Sequence, residues 1–295
     1  ERRKMNKFDK LVMGIYEKAL PKKESWSTKI DIAKQAGYDF IEISVDESDE
    51  RLARLDWSNE EIKNMKNLLI DKDFRIPSMT FSGQKRFPMG SIDTATREKS
   101  MDLMKKAIEI SDKLGIRVIQ VTGYDVYYEE RSDKTRELFI QNLKKASEWA
   151  SKACITLAIE NMENTFLNSV TKYMEIAKEV DSPWLKLYPD LGNLTAWTHD
   201  EVYNELEKGI KSQQIIAVHL KEAKKVTDTF GGIFRELEFG TGDVNFVKTF
   251  ETLKKAEFKG PFLVEMWNES SETPLEDIKK VRDWMISRMK EGGFI

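Results

Sequence analysis

A single cysteine, Cys154, in 295 residues excludes an internal disulfide framework and any zinc module built on thiolates. It also agrees with a reducing cytoplasm, where thiols stay free. Because Cys154 directly precedes an apolar run, it is expected to be a small buried residue. Histidine is almost as scarce, at two residues, so a metal cluster built from many imidazoles is out of reach. Charge of one sign is lacking: 48 Lys and Arg stand against 51 Asp and Glu, a net charge of -3. No global basic field draws the chain to nucleic acid. No apolar run is long enough to span a bilayer, so no membrane role is expected. The charged start Glu1-Arg2-Arg3-Lys4-Met5 is not followed by a signal-like apolar stretch, and Met5 reads as a natural start with residues 1–4 a remnant ahead of it. No linker or low-complexity segment divides the chain.

What the chain has is alternation. Strands are predicted at Leu11–Tyr16, Phe40–Ser44, Ile76–Phe81, Arg117–Val121, Thr156–Glu160, Leu185–Tyr188, Ile215–His219 and Pro261–Glu265. Amphipathic stretches separate them. A helix follows from Ser27, with Ile30, Ile32, Ala33 and Ala36 on one face and Gly37 where a C-terminal cap belongs. Ser58-Asn59-Glu60-Glu61 opens the next with a capping pattern. Further helices are predicted over about Thr94–Leu114, Thr135–Ala153, Ser169–Val180, Asp200–Lys211, Asn245–Ala256 and Leu275–Lys290. Met101 and Met104 lie at helical spacing with Ala107 and Ile108, which reads as core filler.

Strands that each feed a helix demand a mostly parallel sheet with helices outside. At this length a single α/β domain over residues 1–295, a closed (β/α)8 TIM barrel, is the expected fold. An open doubly wound sheet normally carries a Gly-rich turn after its first strand. Here that place is taken by Tyr16-Glu17-Lys18-Ala19-Leu20-Pro21.

Four polar residues end four successive predicted strands: Glu160, Asp190, His219 and Glu265. One acid ending a strand is commonly a helix cap or a lysine partner. Four at equivalent places, one of them among only two histidines, point to a shared task. In a parallel barrel all these tips lie on the catalytic face. Three carboxylates and an imidazole form a donor set for one divalent cation, Mn²⁺, Zn²⁺, Mg²⁺ or Co²⁺, which would relieve the mutual repulsion of the acids. The other histidine, His199, reads as a cap or surface residue at a helix start.

At these residues the sequence resembles the L-ribulose-5-phosphate (L-xylulose-5-phosphate) 3-epimerases, within the xylose-isomerase-like TIM barrels. The resemblance runs nearly the whole chain. It is carried by Gly14-Ile15-Tyr16-Glu17-Lys18-Ala19-Leu20-Pro21, Ala158-Ile159-Glu160-Asn161, Tyr188-Pro189-Asp190-Leu191-Gly192-Asn193-Leu194, Ala217-Val218-His219-Leu220-Lys221-Glu222 and Val264-Glu265-Met266-Trp267. It implies inversion at C3 of a ketopentose 5-phosphate, interconverting L-xylulose 5-phosphate and L-ribulose 5-phosphate in pentose phosphate and L-ascorbate breakdown. It further implies a metal-dependent cytoplasmic enzyme and a homodimer. Loss of the C3 proton leaves an enediolate, whose charge a cation can stabilise. The resemblance gives Glu160 and Glu265 the proton transfers on the two faces as well as ligand roles, and gives Asp190 and His219 ligand roles.

By strand position, Tyr16, Glu17, Thr122, Lys221 and Trp267 are candidates to contact the sugar. For the phosphate, the candidates are the loop Gly240-Thr241-Gly242 with Lys225 and Arg235, and Asn168-Ser169 before a helix start. A plain turn with solvated cations is the other reading of that loop. One departure from the family is the long stretch between His219 and Phe239-Gly240-Thr241-Gly242, holding Lys224, Lys225, Gly231, Gly232 and Arg235, and it leaves the phosphate grip open. An aldose–ketose isomerase, such as a hexulose-6-phosphate isomerase, would use a similar metal site. A DNA-repair endonuclease on this fold would need more histidines, and a sugar-binding protein would need no pair of acids.

Overall fold

The computed structural model describes residues 11–295, so the expectation for residues 1–4 lies outside the described residues. The chain runs β1 (Met13–Tyr16), α1 (Trp26–Gln35), β2 (Phe40–Val45), α2 (Asp49–Leu52), α3 (Asn59–Asp71), β3 (Ser78–Phe81), α4 (Thr94–Leu114), β4 (Val118–Thr122) and α5 (Asp133–Lys152). It continues β5 (Thr156–Glu160), α6 (Val170–Val180), β6 (Leu185–Leu187), α7 (Leu191–Thr198), α8 (Val202–Lys211), β7 (Val218–Leu220), α9 (Phe246–Lys255), β8 (Phe262–Val264) and α10 (Pro274–Glu291).

The strands form one parallel 8-stranded sheet in the order β6-β5-β4-β3-β2-β1-β8-β7. The ring closes between β6 and β7 through single parallel bridges, Leu187 with Ile215 and Asp190 with His219. There Ile216 N–H donates to the Leu187 carbonyl at 3.1 Å and His219 N–H to the Pro189 carbonyl at 2.9 Å. This is the expected α/β TIM barrel, with the helices packed around it.

Local chemistry explains most boundaries. Ser58 and Glu61 cap α3 reciprocally, the Glu61 carboxylate accepting the Ser58 N–H at 2.7 Å. Gly115 ends α4 at φ +81°, a conformation that suits glycine. The third strand begins at Ser78 rather than Ile76, because Pro77 has no N–H for a ladder. Two helices escaped the periodicity. The short α2 follows β2 directly, and α7 begins at once after Asp190, ahead of the helix expected from Asp200. Leu191 to Ala196 are buried on every side, so α7 has no polar face for a 3.6-residue pattern to reveal. Cys154 also departs from expectation: it is exposed, in a left-handed turn at φ +55° between α5 and β5, and Ile155 takes the buried place. His199 lies at the surface, 2.8 Å from the Val226 carbonyl through Nε2.

The main apolar core lies between the strands and the helices, while a smaller cluster fills the barrel interior with Tyr16, Phe40, Ala158, Tyr188, Ala217 and Leu263. Gly14 makes room there: a Cβ on it would lie 2.2 Å from the Phe40 ring. Other strand positions are polar and buried, among them Glu42, Ser78, Gln120, Glu160 and His219.

Candidate active site

Glu160 is the last residue of β5, Asp190 caps the N-terminus of α7, His219 lies within β7, and Glu265 follows β8. The barrel brings the four together, and one ligand atom from each lies within 4.8 Å of the others. His219 Nδ1 is 2.9 Å from Glu265 Oε2 and 3.4 Å from Glu160 Oε1. The opposite ring nitrogen, Nε2, is 3.1 Å from Glu42 Oε1. Glu42 is itself held by Ser78 and Thr80, whose hydroxyls donate to it at 2.6 and 2.5 Å. Burial disfavours the charged ring, but Glu42, Glu265 and Glu160 outweigh it and favour the imidazolium. A bound cation would displace the Nδ1 proton and leave the other on Nε2 facing Glu42.

The donor set fits a divalent cation. Asp190 Oδ2 and Glu265 Oε2 are buried and accept no well-formed hydrogen bond. Lys221 Nζ lies 2.7 Å from the first of these oxygens, and the same ammonium donates to Asn193 Oδ1 at 2.7 Å. Asp190 is pinned from both sides. Its N–H donates to Asn161 Oδ1 at 2.9 Å, and its Oδ1 accepts the Asn193 N–H at 2.7 Å.

The electrostatics set the two glutamates apart. Burial, reinforced by the charge of Glu265, pushes Glu160 above the ordinary carboxylate range. Burial acts the same way on Glu265, but Lys221 and His219 outweigh it and hold that carboxyl well below its usual value. Lys221 stays charged: burial disfavours the ammonium, and Asp190, Glu265 and Glu160 more than compensate.

Glu160 and Glu265 open into a cavity of about 60 Å³, also lined by Tyr16, Thr122, Lys221, Arg235 and Trp267. Tyr16 shares a hydrogen bond with Ser44 at 3.1 Å, and its ring meets Trp267 edge-on. Arg235 lies over the Trp267 ring at 5.4 Å. A hollow of about 820 Å³ adjoins, sharing Lys221, Arg235, Glu265 and Trp267. Ligand pockets usually measure roughly 300–1,000 Å³, so the inner cavity takes a sugar phosphate only if Arg235 or Trp267 shifts.

Other candidates sit elsewhere. Glu17 does not line the cavity. Its buried carboxylate accepts from Arg54 at 2.6 and 2.8 Å, Lys29 at 3.2 Å and the Ser44 N–H at 2.9 Å, which consumes it structurally. Lys225 stands 3.6 Å from Asp200 at the surface. The Gly240-Thr241-Gly242 loop does wrap an anion, but the anion is Glu222. Its carboxylate accepts the Gly240 and Val244 N–H groups at 2.8 and 3.2 Å, and a Cβ on Gly242 would lie 2.1 Å from it. Ser169 caps α6, accepting the Lys172 N–H at 3.2 Å, and Asn168 precedes it half-buried. Glu205 accepts the next free N–H of that helix, from Thr171, at 2.7 Å. Of the phosphate candidates, only Arg235 lines the cavity.

Glu42 was not singled out from the sequence, although a carboxylate between Ile41 and Ile43 in a strand buried on both faces must have partners. Asn193 stands in a segment that carries the resemblance, but with no role assigned to it, because α7 was not recognised.

Residues 30–288 match the family described as the xylose isomerase-like TIM barrel. The chain belongs to that family. L-ribulose-5-phosphate 3-epimerase UlaE of Escherichia coli is 46% identical over 283 residues, covering 96% of each chain. Among solved structures, that of an L-ribulose 3-epimerase superposes with a TM-score of 0.76 at 15% identity, over 96% of each chain. That of the 3-keto-D-glucoside 4-epimerase YcjR from Escherichia coli gives 0.73 at 16% identity, over 94% of this chain and 100% of its own. These two likenesses concern the fold, whereas the identity to UlaE reaches further and makes this family member an isomerase of the epimerase type. Among the described residues, no helix is long and apolar enough to cross a membrane.

Proposed function

We propose that the chain inverts C3 of a ketopentose 5-phosphate, interconverting L-xylulose 5-phosphate and L-ribulose 5-phosphate. The observation that carries this reading is the pair Glu160, buried at the end of β5, and Glu265, partly buried just after β8, both opening into one cavity. The substrate class comes from the 46% identity to UlaE.

Epimerisation needs a base on one face of the carbon and an acid on the other. Glu160 and Glu265 are suited to divide these tasks, one removing the C3 proton and the other returning one from the opposite face, and the roles exchange in the reverse direction. Glu160, Asp190, His219 and Glu265 would hold one divalent cation, of the Mn²⁺, Zn²⁺, Mg²⁺ or Co²⁺ kind, which supplies Lewis-acid stabilisation of charge developing beside the reacting carbon. Glu42 orients His219 for this, and Lys221 with Asn161 and Asn193 fixes Asp190. Tyr16 and Trp267 wall the cavity and limit water at the reacting carbon. The homodimer and cytoplasmic setting implied by the resemblance belong to the same reading, and sedimentation tests the former.

The test is proton exchange. With L-ribulose 5-phosphate and Mn²⁺ in D₂O, deuterium should enter C3 as L-xylulose 5-phosphate forms. No exchange with metal present would overturn the proposal. Exchange at C1 or C2 instead would favour an aldose–ketose isomerase.

A further inference from the structure

The wall of the inner cavity away from the metal ligands carries a charge that the proton-transfer chemistry does not use. Lys85 ends the single 3-10 turn Ser82–Lys85 that follows β3, and it lines the cavity together with Glu160 and Glu265. Only 8% of the residue is exposed. Its nearest carboxylate oxygen, Glu163 Oε1, is 3.7 Å away, too far for a hydrogen bond. The other oxygen of that carboxylate is engaged by the Tyr124 hydroxyl. Among the described residues the Lys85 ammonium donates no hydrogen bond, and it rests over the Tyr127 ring at 4.5 Å. Lys18 and Lys221 line the same cavity but are spent, the first on Asp46 at 2.6 Å and the second on Asp190. A lysine side chain about nine-tenths buried, whose ammonium has three donors, no hydrogen-bonded acceptor and only a loose ion pair with Glu163, is well placed to take up an entering anion.

The position adds a second argument. In the closed ring, β3 and β7 stand opposite one another, four strands apart. Lys85 extends from the end of β3, and Arg235 comes over the mouth on the segment after β7. The guanidinium makes no ion pair among the described residues, only its contact with Trp267. Burial holds the Lys85 ammonium below its ordinary pKa despite the nearby Glu163 carboxylate, and the Arg235 charge adds to that effect. Two cations facing each other across a cavity, neither neutralised by a hydrogen-bonded acid, are a receptor for a dianion.

We propose that Lys85 binds the substrate's phosphate, with Arg235 closing over it from the other side of the mouth, so that Lys85 sets the preference for a phosphorylated over a free ketose. This rests on the epimerase reading and assigns the phosphate grip to a residue after β3 rather than to the Gly240–Gly242 loop. Without Lys85 the carbon chain still reaches Glu160 and Glu265, but the anchor that distinguishes the sugar phosphate is gone.

The experiment compares wild type with Lys85→Met and Lys85→Arg in two measurements. The first is kcat/KM on L-ribulose 5-phosphate and on L-ribulose, with Mn²⁺ present. The second is calorimetric titration with inorganic phosphate. A lost charge-assisted contact is worth on the order of 10–100-fold. The ratio of kcat/KM values for the two sugars should therefore fall by that factor in Lys85→Met and largely recover in Lys85→Arg, and inorganic phosphate should bind Lys85→Met correspondingly more weakly. A merely structural role would lower both sugars together and leave the ratio intact, which would overturn the proposal, as would unaltered phosphate affinity. If Lys85→Met does not fold, Lys85→Gln serves in its place. If wild type acts on neither sugar, the epimerase reading fails, while the phosphate titration still decides the role of Lys85.

Discussion

Replacing Glu17 with Gln removes one charge from a buried network and leaves its cations in place. The Glu17 carboxylate is inaccessible to solvent and accepts two hydrogen bonds from Arg54, one from Lys29 and one from the Ser44 N–H. Arg51 approaches it at 4.0 Å. Burial raises its pKa, but Arg54 and Lys29 overcome that and bring it from 4.5 to about 2. At 1.36 kcal/mol per unit, a shift of this size corresponds to about 3 kcal/mol. Breaking a buried ion pair by deleting one partner typically costs about 3–5 kcal/mol, so the two routes agree. Glu17→Gln should therefore lower the unfolding free energy in urea by about 3 kcal/mol at pH 7 and the melting temperature by roughly 5–10 °C. The folded pKa is the lower one, so this contribution is fully present above the unfolded value of 4.5 and is lost as pH falls through about 2. The stability difference between the two proteins should shrink over that interval. KM for the sugar should change little, since Glu17 does not line the cavity. A variant as stable as wild type at pH 7, with activity lost instead, would refute this reasoning and return Glu17 to the substrate.

Glu160→Gln and Glu265→Gln should each reduce deuterium exchange at C3 by at least about 100-fold, the lower end of general acid–base contributions; full exchange in either variant would remove its proton-transfer role. Glu42→Gln should weaken Mn²⁺ binding by about 10–100-fold through misorientation of His219, measured by calorimetric titration, and unchanged affinity would show that Glu42 does not orient the ring. Glu222→Ala leaves the Gly240 and Val244 N–H groups without their acceptor, at a cost of about 1–3 kcal/mol. Limited proteolysis should then cut within residues 224–243 faster than in wild type, and equal rates would mean that the carboxylate does not hold the loop.

How much was legible differs by scale. Strand and helix spacing led to the barrel because every strand is a short apolar run and most helices carry a polar face. The strand-end positions of Glu160, Asp190, His219 and Glu265 predicted their meeting, since parallel strands place all their C-terminal ends on one side. α7 was missed for the converse reason: a helix buried all round has no amphipathic pattern. Glu17 and the Gly240–Gly242 loop show the limit of strand position and loop composition. The acid follows β1 at the catalytic end but bends under it to Arg54, and the loop does cradle a carboxylate, the protein's own Glu222.

The sequence by itself determined the architecture and the arc of strand ends where chemistry can occur, because period and order alone dictate which residues share a barrel face. Only the tertiary structure decided which charges remain available. Glu17 and Lys18 are neutralised by partners distant in the chain and Glu222 is taken up by backbone N–H groups, whereas the Lys85 ammonium lies against the cavity without a hydrogen-bonded acceptor among the described residues. Pairing between distant side chains depends on ångström distances that no one-dimensional pattern encodes.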